Sequence, residues 1–348
     1  MKDNTEADFP PFRDRGLRTI RIGTRDSELA LWQAHTVQKK INDLGFQTEI
    51  VAVKSQGDLM LDKPLYELGI TGIFTKTLDI AMLNGSIDIA VHSMKDVPTA
   101  LPHGIVQAAV LERANHLDLL IHKGNLDFLQ SEGTIATGSL RRQAQWLHKY
   151  PHHRVVDLRG NVNTRLQKLQ ENNWDGAIFA AAGLERLGLT PSDSNQNSKG
   201  EGAASRSFII ESPSFTGVGE ALDWMIPAPA QGAMLVVAMQ NDTFSQEVLA
   251  QLNHEETAIC TQIERDFLRT LEGGCTAPIG AFARFSGEEI ILEGVLLSID
   301  GQTKLKIKKA TKRSNYQNFG VLCAKEILEN GGTALMQSIK IALGTAKQ

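Results

Sequence analysis

The chain is 348 residues long, 42% hydrophobic and 22% charged. That composition excludes a disordered, collagen-like or coiled-coil protein and leaves room for two or three domains. Lys and Arg number 36 against 40 Asp and Glu, and the net charge of −4 excludes a general nucleic-acid binder, though not a local basic cleft.

Residues 1–16 read as a loose leader of mixed charge containing Pro10 and Pro11. Alternating apolar residues predict a strand at 19–23. Ser27 and Glu28 open a helix in which Leu29, Trp32, Val37 and Ile41 share one face. A strand at 49–53, a helix at 74–83 and apolar strands at 87–91 and 106–111 follow. A second series has a strand at 134–137, a helix capped by Ser139, a strand at 155–158, a helix led by Asn161, and a strand at 177–180 running into another helix. Strands alternating with helices imply mostly parallel sheets in α/β domains.

Residues 190–219 are polar and break this pattern, which reads as a mobile surface insertion. After Pro227 and Pro229 a strand returns at 234–238. The chain then changes character. A helix at 253–271 ends at Gly273-Gly274. Three strands near 281–285, 290–297 and 304–309 and two closing helices form an antiparallel α+β unit.

Three cysteines are an odd number and too few for a disulfide framework, which reads as a reducing, cytoplasmic setting. No secretory pattern and no apolar run of about 18 residues occurs, so no membrane partner is expected. Cys260 and Cys323 lie at helical spacing among apolar residues and read as core. Cys275 differs. It sits in Gly273-Gly274-Cys275-Thr276-Ala277-Pro278, a loop of small residues that leaves its sulfur unshielded. Either it is a reactive thiol or a small residue tucked under a turn. His152-His153 reads as solvent-facing, no cysteine or histidine cluster has zinc spacing, and no metal is expected.

His92-Ser93-Met94-Lys95-Asp96-Val97-Pro98 follows an apolar strand directly. The carboxyl end of a parallel strand is where α/β sheets bind ligands. A buried Asp96 beside Lys95 could steady a cation or move a proton. It could equally be a satisfied strand exit. Arg25, Arg141, Arg142, Arg159 and Arg165 all sit at strand-to-helix turns, where backbone N–H groups also favour anions. Together they point to a polyanionic ligand, either phosphates or several carboxylates. Gly57-Asp58 suggests a turn near the same cleft, and Gln231-Gly232-Ala233 suggests a chain return between domains.

These stretches resemble the porphobilinogen deaminase (hydroxymethylbilane synthase) family. The resemblance is carried by RIGTRDSELALWQA (21–34), HSMKDVP (92–98), SLRRQAQW (139–146), DLRGNVNTRLQKL (157–169), PAPAQGA (227–233) and LEGGCTAPIGAFA (271–283). It implies two periplasmic-binding-protein-like α/β domains forming a cleft, plus a C-terminal α+β domain with a three-stranded antiparallel sheet. The boundaries would be 17–113 with 231–250, 114–230 including the insertion, and 251–348. It implies a monomeric transferase of tetrapyrrole (haem) biosynthesis that condenses four porphobilinogen molecules head to tail, releasing ammonia and forming hydroxymethylbilane. Cys275 would hold a dipyrromethane cofactor through a thioether. Asp96 would be catalytic. Lys95, Ser139, Arg141, Arg142, Asp58 and Ser93 would bind the cofactor. Arg25, Ser27, Arg159, Asn161, Arg165, Lys76, Gln231, Gly232 and Ala233 would bind substrate.

Two departures stand out. Thr71 occupies a glycine-loop position where the family usually carries a lysine, and Gly138 a position where it often carries serine. The competing class is a non-enzymatic anion-binding protein of the periplasmic-binding-protein type. It has a use for the arginines but none for the unit carrying Cys275.

Overall fold

The computed structural model describes residues 18–54, 75–190, 207–271 and 277–344. The chain begins with β1 (Ile20–Arg25), α1 (Glu28–Asp43), β2 (Thr48–Val53), α2 (Lys76–Leu83), β3 (Ile89–Ser93) and β4 (Ile105–Val110). The next run is β5 (Asp118–His122), β6 (Thr134–Ala136), α3 (Leu140–Lys149), β7 (Arg154–Val156), α4 (Val162–Glu171), β8 (Gly176–Ala180), α5 (Ala181–Arg186), β9 (Ser207–Ser212) and β10 (Phe215–Ala221). β11 (Met234–Met239) and α6 (Thr243–Ala250) then rejoin the first sheet, whose order is β2-β1-β3-β11-β4. The second sheet runs β7-β6-β8-β5-β10-β9.

The central strands of both sheets are buried on both faces, which is why they read as continuous apolar runs. In the first, Ile89, Val91 and Val236 join Val37 and Ile41 of α1 on one side. Ala90, Leu235 and Val237 join Leu78 and Met82 of α2 on the other. The second sheet divides likewise, with Ile121 and Phe179 facing Leu166 of α4, and Leu120 and Ile178 facing Trp146 of α3.

The expected two α/β sheets are present, and most strands of each run in one direction, with antiparallel members among them. β11 runs antiparallel to both β3 and β4, and β5 runs antiparallel to β8 and β10. The insertion expected at 190–219 needs correction. Residues 191–206 lie outside the described residues, but β9 and β10 form an antiparallel hairpin on the edge of the second sheet. Its apolar side, with Ile210 and Phe215, is buried in that lobe's core.

The last unit holds α7 (Glu255–Thr270), β12 (Ile279–Ser286), β13 (Glu289–Leu297), β14 (Lys304–Lys312), α8 (Phe319–Ile327) and α9 (Thr333–Ala342). Its strands form the expected antiparallel sheet β12-β13-β14. Ile259, Ile263 and Phe267 of α7 pack with Leu292, Ile307 and Ile327, and Cys260 and Cys323 are buried among them. Burial raises both thiols, Cys260 to about 12 and Cys323 to about 11. On the opposite face, Val295 and Leu297 pack on Ala144 of α3.

The two lobes are joined by paired crossings, residues 111–117 and 222–233. Ala114 N–H donates to Gly232 O at 3.2 Å, and Arg113 Nε donates to Gln231 O at 2.8 Å. Gly232 has φ +89°, and a Cβ there would stand 2.5 Å from Ala114 O, so the crossing requires glycine. Glu264 of α7 fastens this junction to the last unit. Fully buried, it pairs with Arg113 (2.6 Å) and accepts from Ala230 N (2.6 Å) and Ala283 N (2.7 Å).

Candidate active site

The strand orders themselves mark a site. In the first sheet β2 and β3 flank β1, and in the second β7 and β8 flank β6, all parallel. Successive crossovers therefore leave in opposite directions between β1 and β3 and between β6 and β8. Such switch points open a crevice at the carboxyl ends of the strands. Arg25 ends β1 and Ser93 ends β3, while Ser139 and Arg141 follow β6.

On the first lobe, Arg25, Ser27, Gln33, Thr75, His92, Ser93 and Asp96 line one cavity. Ser27 is the N-cap of α1, but its hydroxyl makes no capping bond and so is not spent on its own helix. Gln33 Nε2 donates to Ser93 Oγ at 2.9 Å. A single 3-10 turn, Met94–Asp96, follows β3 and carries Asp96, which is half-buried rather than fully buried as expected. Arg265 of α7 holds that turn, donating to Val97 O (2.9 Å) and Pro98 O (2.6 Å).

On the second lobe, α3 starts at the crevice with Ser139 as an N-cap whose hydroxyl is likewise unspent. Arg141 and Arg142 converge on Asp118 at the start of β5. Arg141 Nη1 lies 2.8 Å from Oδ2, and Arg142 Nε donates to Oδ1 at 2.9 Å. All three are buried. Burial opposes ionisation of Asp118, but the two guanidiniums outweigh it and hold the carboxyl well below its usual range. Arg141 Nε is buried without a hydrogen-bond partner among the described residues. Gly138 sits tightly here, for a Cβ would stand 2.6 Å from Leu158 O, so the serine often found in the family would not fit this backbone unchanged.

The two sides share one electrostatic space. Burial lowers Lys95 to about 8, with Asp96 pulling upward and Arg142 and Arg141 pushing down. Burial also lowers Arg165 to about 10, aided by Arg142 and opposed by Asp96. Arg165 Nε donates to Gly160 O at 2.7 Å, and Arg159 is buried nearby. Asn163 Nδ2 of α4 reaches across to Glu28 Oε2 of α1 at 2.9 Å.

Several expected site residues stand elsewhere. Gln231 and Ala233 are buried in the crossing, and Gly232 belongs to the same turn. Gln231 Nε2 donates to Asp118 Oδ1 (3.0 Å) and His116 O (2.8 Å), Gly232 O accepts from Arg186 (2.7 Å), and Ala233 O accepts from Met94 N (3.0 Å). Their polar groups are engaged within the crossing, and Gln231 Oε1 also stands 3.5 Å from Lys95 Nζ. Lys76 is exposed at the start of α2, and its neighbour Thr75 lines the cavity instead. Asn161 Oδ1 caps α4, accepting from Thr164 N at 2.9 Å. His153, expected at the surface, is buried between Trp146 Nε1 (3.1 Å) and Phe128 O (3.0 Å). Asp58, Thr71 and Cys275 lie outside the described residues.

Sequence reasoning missed Gln33, Asp118, Glu264 and Arg265. Asp118 did leave a signal, a lone carboxylate in the apolar run Leu117–Ile121.

A family model described as porphobilinogen deaminase, dipyromethane cofactor binding domain, matches residues 20–247, and one described as its C-terminal domain matches 258–329. The chain belongs to the porphobilinogen deaminase family. A porphobilinogen deaminase of Campylobacter hominis is 38% identical over 324 residues, covering 92% of this chain and 98% of that protein. One from Nostoc sp. is also 38% identical, over 331 residues, covering 92% and 95%. A periplasmic substrate-binding protein from Coxiella burnetii is similar at 15% identity and TM-score 0.39, covering 67% of this chain and 92% of that one.

The dipyrromethane of this family is an acid-bearing group, and the site's chemistry fits it. Arg141 Nε is a buried donor without a partner among the described residues, and the Ser139 hydroxyl is not used in capping. Among the described residues no cluster of His, Cys, Asp and Glu could hold a metal ion.

Proposed function

We propose that this chain condenses four porphobilinogen molecules head to tail into hydroxymethylbilane, with Asp96 as the catalytic carboxylate and Cys275 as the attachment point of the dipyrromethane. The observation that carries this reading is one carboxylate, Asp96, in a cavity with Arg25 and Ser27, facing cations of the opposite lobe. When bound, the dipyrromethane supplies the nucleophilic pyrrole carbon on which the product is started.

Each pyrrole carries an acetate and a propionate, so every addition brings more carboxylates into the crevice. Arg25 and Ser27 bind those of the incoming porphobilinogen. Arg141, Arg142, Arg159, Arg165, Lys95 and Ser139 bind those of the rings already joined, for a guanidinium offers forked donors to a carboxylate. Asp118 and Gln231 orient Arg141 and Arg142.

The reaction breaks the aminomethyl C–N bond of porphobilinogen, and ammonia leaves with the bonding electron pair. The remaining methylene-pyrrole is a cation. The fixed charge of the Asp96 carboxylate stabilises it. The free α-carbon of the preceding ring then forms the new C–C bond, and Asp96 takes the proton that this carbon loses. Release would break the C–C bond that joins the methylene of the first-added ring to the primer, a proton returning to the primer's carbon and water adding to that methylene as the product's hydroxymethyl group.

The three sheets support domain boundaries at 17–113 with 231–250, 114–230 and 251–348. The net charge of −4 supports a partner other than nucleic acid. No helix among the described residues is long and apolar enough to cross a membrane. The reading is of a monomer in the cytoplasm, where the free thiols of Cys260 and Cys323 stay reduced.

The deciding experiment adds porphobilinogen to the purified protein and measures ammonia and hydroxymethylbilane together. Both should form in a ratio of about four to one, as the stoichiometry requires. Reversible binding without ammonia would instead assign an anion-binding protein.

A further inference from the structure

His92 belongs to the cavity's polar group, and the reaction above leaves it without a task. It is the fourth residue of β3, 7% exposed, and its ring lines the same cavity as Asp96, Arg25 and Ser93. Among the described residues no group hydrogen-bonds that ring. His153, equally buried, is held at both nitrogens. The ring nitrogens are not sealed from solvent, so they are open to a ligand entering the cavity.

We propose that His92 contacts porphobilinogen directly, its neutral ring accepting a hydrogen bond from a nitrogen-bound proton of the substrate. The inference rests on the proposed function and adds a residue to it. The assignment follows from what the other groups can do. Arg25 and Ser27 meet the substrate's carboxylates, and Asp96 faces the developing cation. The substrate's remaining polar groups are donors, the pyrrole N–H and the aminomethyl ammonium. They need an acceptor. Ser93 Oγ already accepts one hydrogen bond, from Gln33, which leaves it a single lone pair, while no described residue engages the His92 ring.

The electrostatics suit this role. Burial, helped by the charge of Arg25, lowers His92 to about 4. The ring therefore keeps a lone pair at neutral pH. It also carries no charge, so it does not repel the cation that forms when ammonia leaves. An imidazolium in the same place would oppose that step.

The test compares His92→Leu and His92→Gln in the cofactor-loaded enzyme. Loss of the acceptor in His92→Leu should lower kcat/KM for porphobilinogen about tenfold, and His92→Gln, whose amide retains an acceptor, should recover most of it. In wild-type enzyme with ¹⁵N-labelled histidine, a porphobilinogen analogue with methyl in place of aminomethyl should shift the His92 ring nitrogens if the donor is the pyrrole N–H. If the donor is the ammonium, that analogue leaves the ring unmoved and an aminomethyl analogue blocked at its free α-carbon shifts it. His92→Leu with wild-type kcat/KM, His92→Gln no better than His92→Leu, or no ring shift with either analogue would overturn the proposal. Failure of the wild type to release ammonia would instead sink the proposed function, so the two can fail separately.

Discussion

Arg142 and Asp118 meet inside the second lobe, with Arg142 Nε 2.9 Å from Asp118 Oδ1, although they lie 24 residues apart. The carboxylate starts β5 and the guanidinium sits in the first turn of α3. Arg141 approaches the same carboxylate from its other oxygen. One buried anion thus sets the direction of two cations at the crevice. Asp118→Asn removes that anion and leaves two buried guanidiniums uncompensated. Urea unfolding should show a loss of roughly 3–5 kcal/mol. A loss of less than about 1 kcal/mol, the range of an exposed pair, would mean that the arginines do not depend on Asp118.

Asp96 is expected to act in chemistry more than in binding. Asp96→Asn keeps the shape of the side chain but removes the negative charge and the proton acceptor. Ammonia release should fall by about 10²-fold or more, while intact mass still reports the attached dipyrromethane. Turnover close to wild type would remove Asp96 from its role.

Acid stability should show the ion pairs beneath the first lobe. Burial opposes ionisation of Asp88, but hydrogen bonds from the Arg21 side chain and backbone and from Arg18 outweigh it and bring the carboxyl to about 2. Its folded value lies below the unfolded aspartate value of about 3.9. Folding therefore favours the ionised form. The stabilisation is complete above that value and drains away as pH falls through about 2. Urea midpoints of wild type and Asp88→Asn should differ at pH 6 and converge toward pH 2. A difference that stays constant with pH would contradict the assignment.

The three cysteines should behave differently toward the cofactor and toward alkylating agents. Cys260 and Cys323 are buried and their thiols are raised to about 12 and about 11, so neither is a thiolate at neutral pH. Intact mass spectrometry of Cys260→Ser and Cys323→Ser should still show an adduct of two pyrrole units. Cys275→Ser should show none. An adduct that survives Cys275→Ser would move the attachment elsewhere.

Much of this was legible in the residues. The strand exits at Arg25 and Asp96 and the helix start at Arg141 follow from short patterns, because a strand that stops and a helix that begins each leave local marks. The antiparallel partners did not. β5 reads Asp118-Leu119-Leu120-Ile121-His122, and its polar ends hide a strand whose Asp118 is paired with arginines distant in sequence. The hairpin of β9 and β10 looked like part of an insertion because the polar stretch at 191–200 precedes it, while its fit depends on Phe215 and Ile210 reaching a core built by other segments. The partners of Gln231 were not legible either: its amide nitrogen donates to Asp118 and His116, and its oxygen stands 3.5 Å from Lys95 Nζ. His153 belongs to the same group, since nothing beside it in the chain announces Trp146 as its partner.

The position of β11 has a consequence for synthesis. It lies between β3 and β4, hydrogen-bonded to both, yet it is made after the whole second lobe. A nascent chain that has emerged only as far as β4 exposes two unpaired strand edges in the first lobe and cannot close that sheet. Domains usually fold in order as they leave the ribosome. Here the first lobe must wait for residue 239, so the second can be complete before the first.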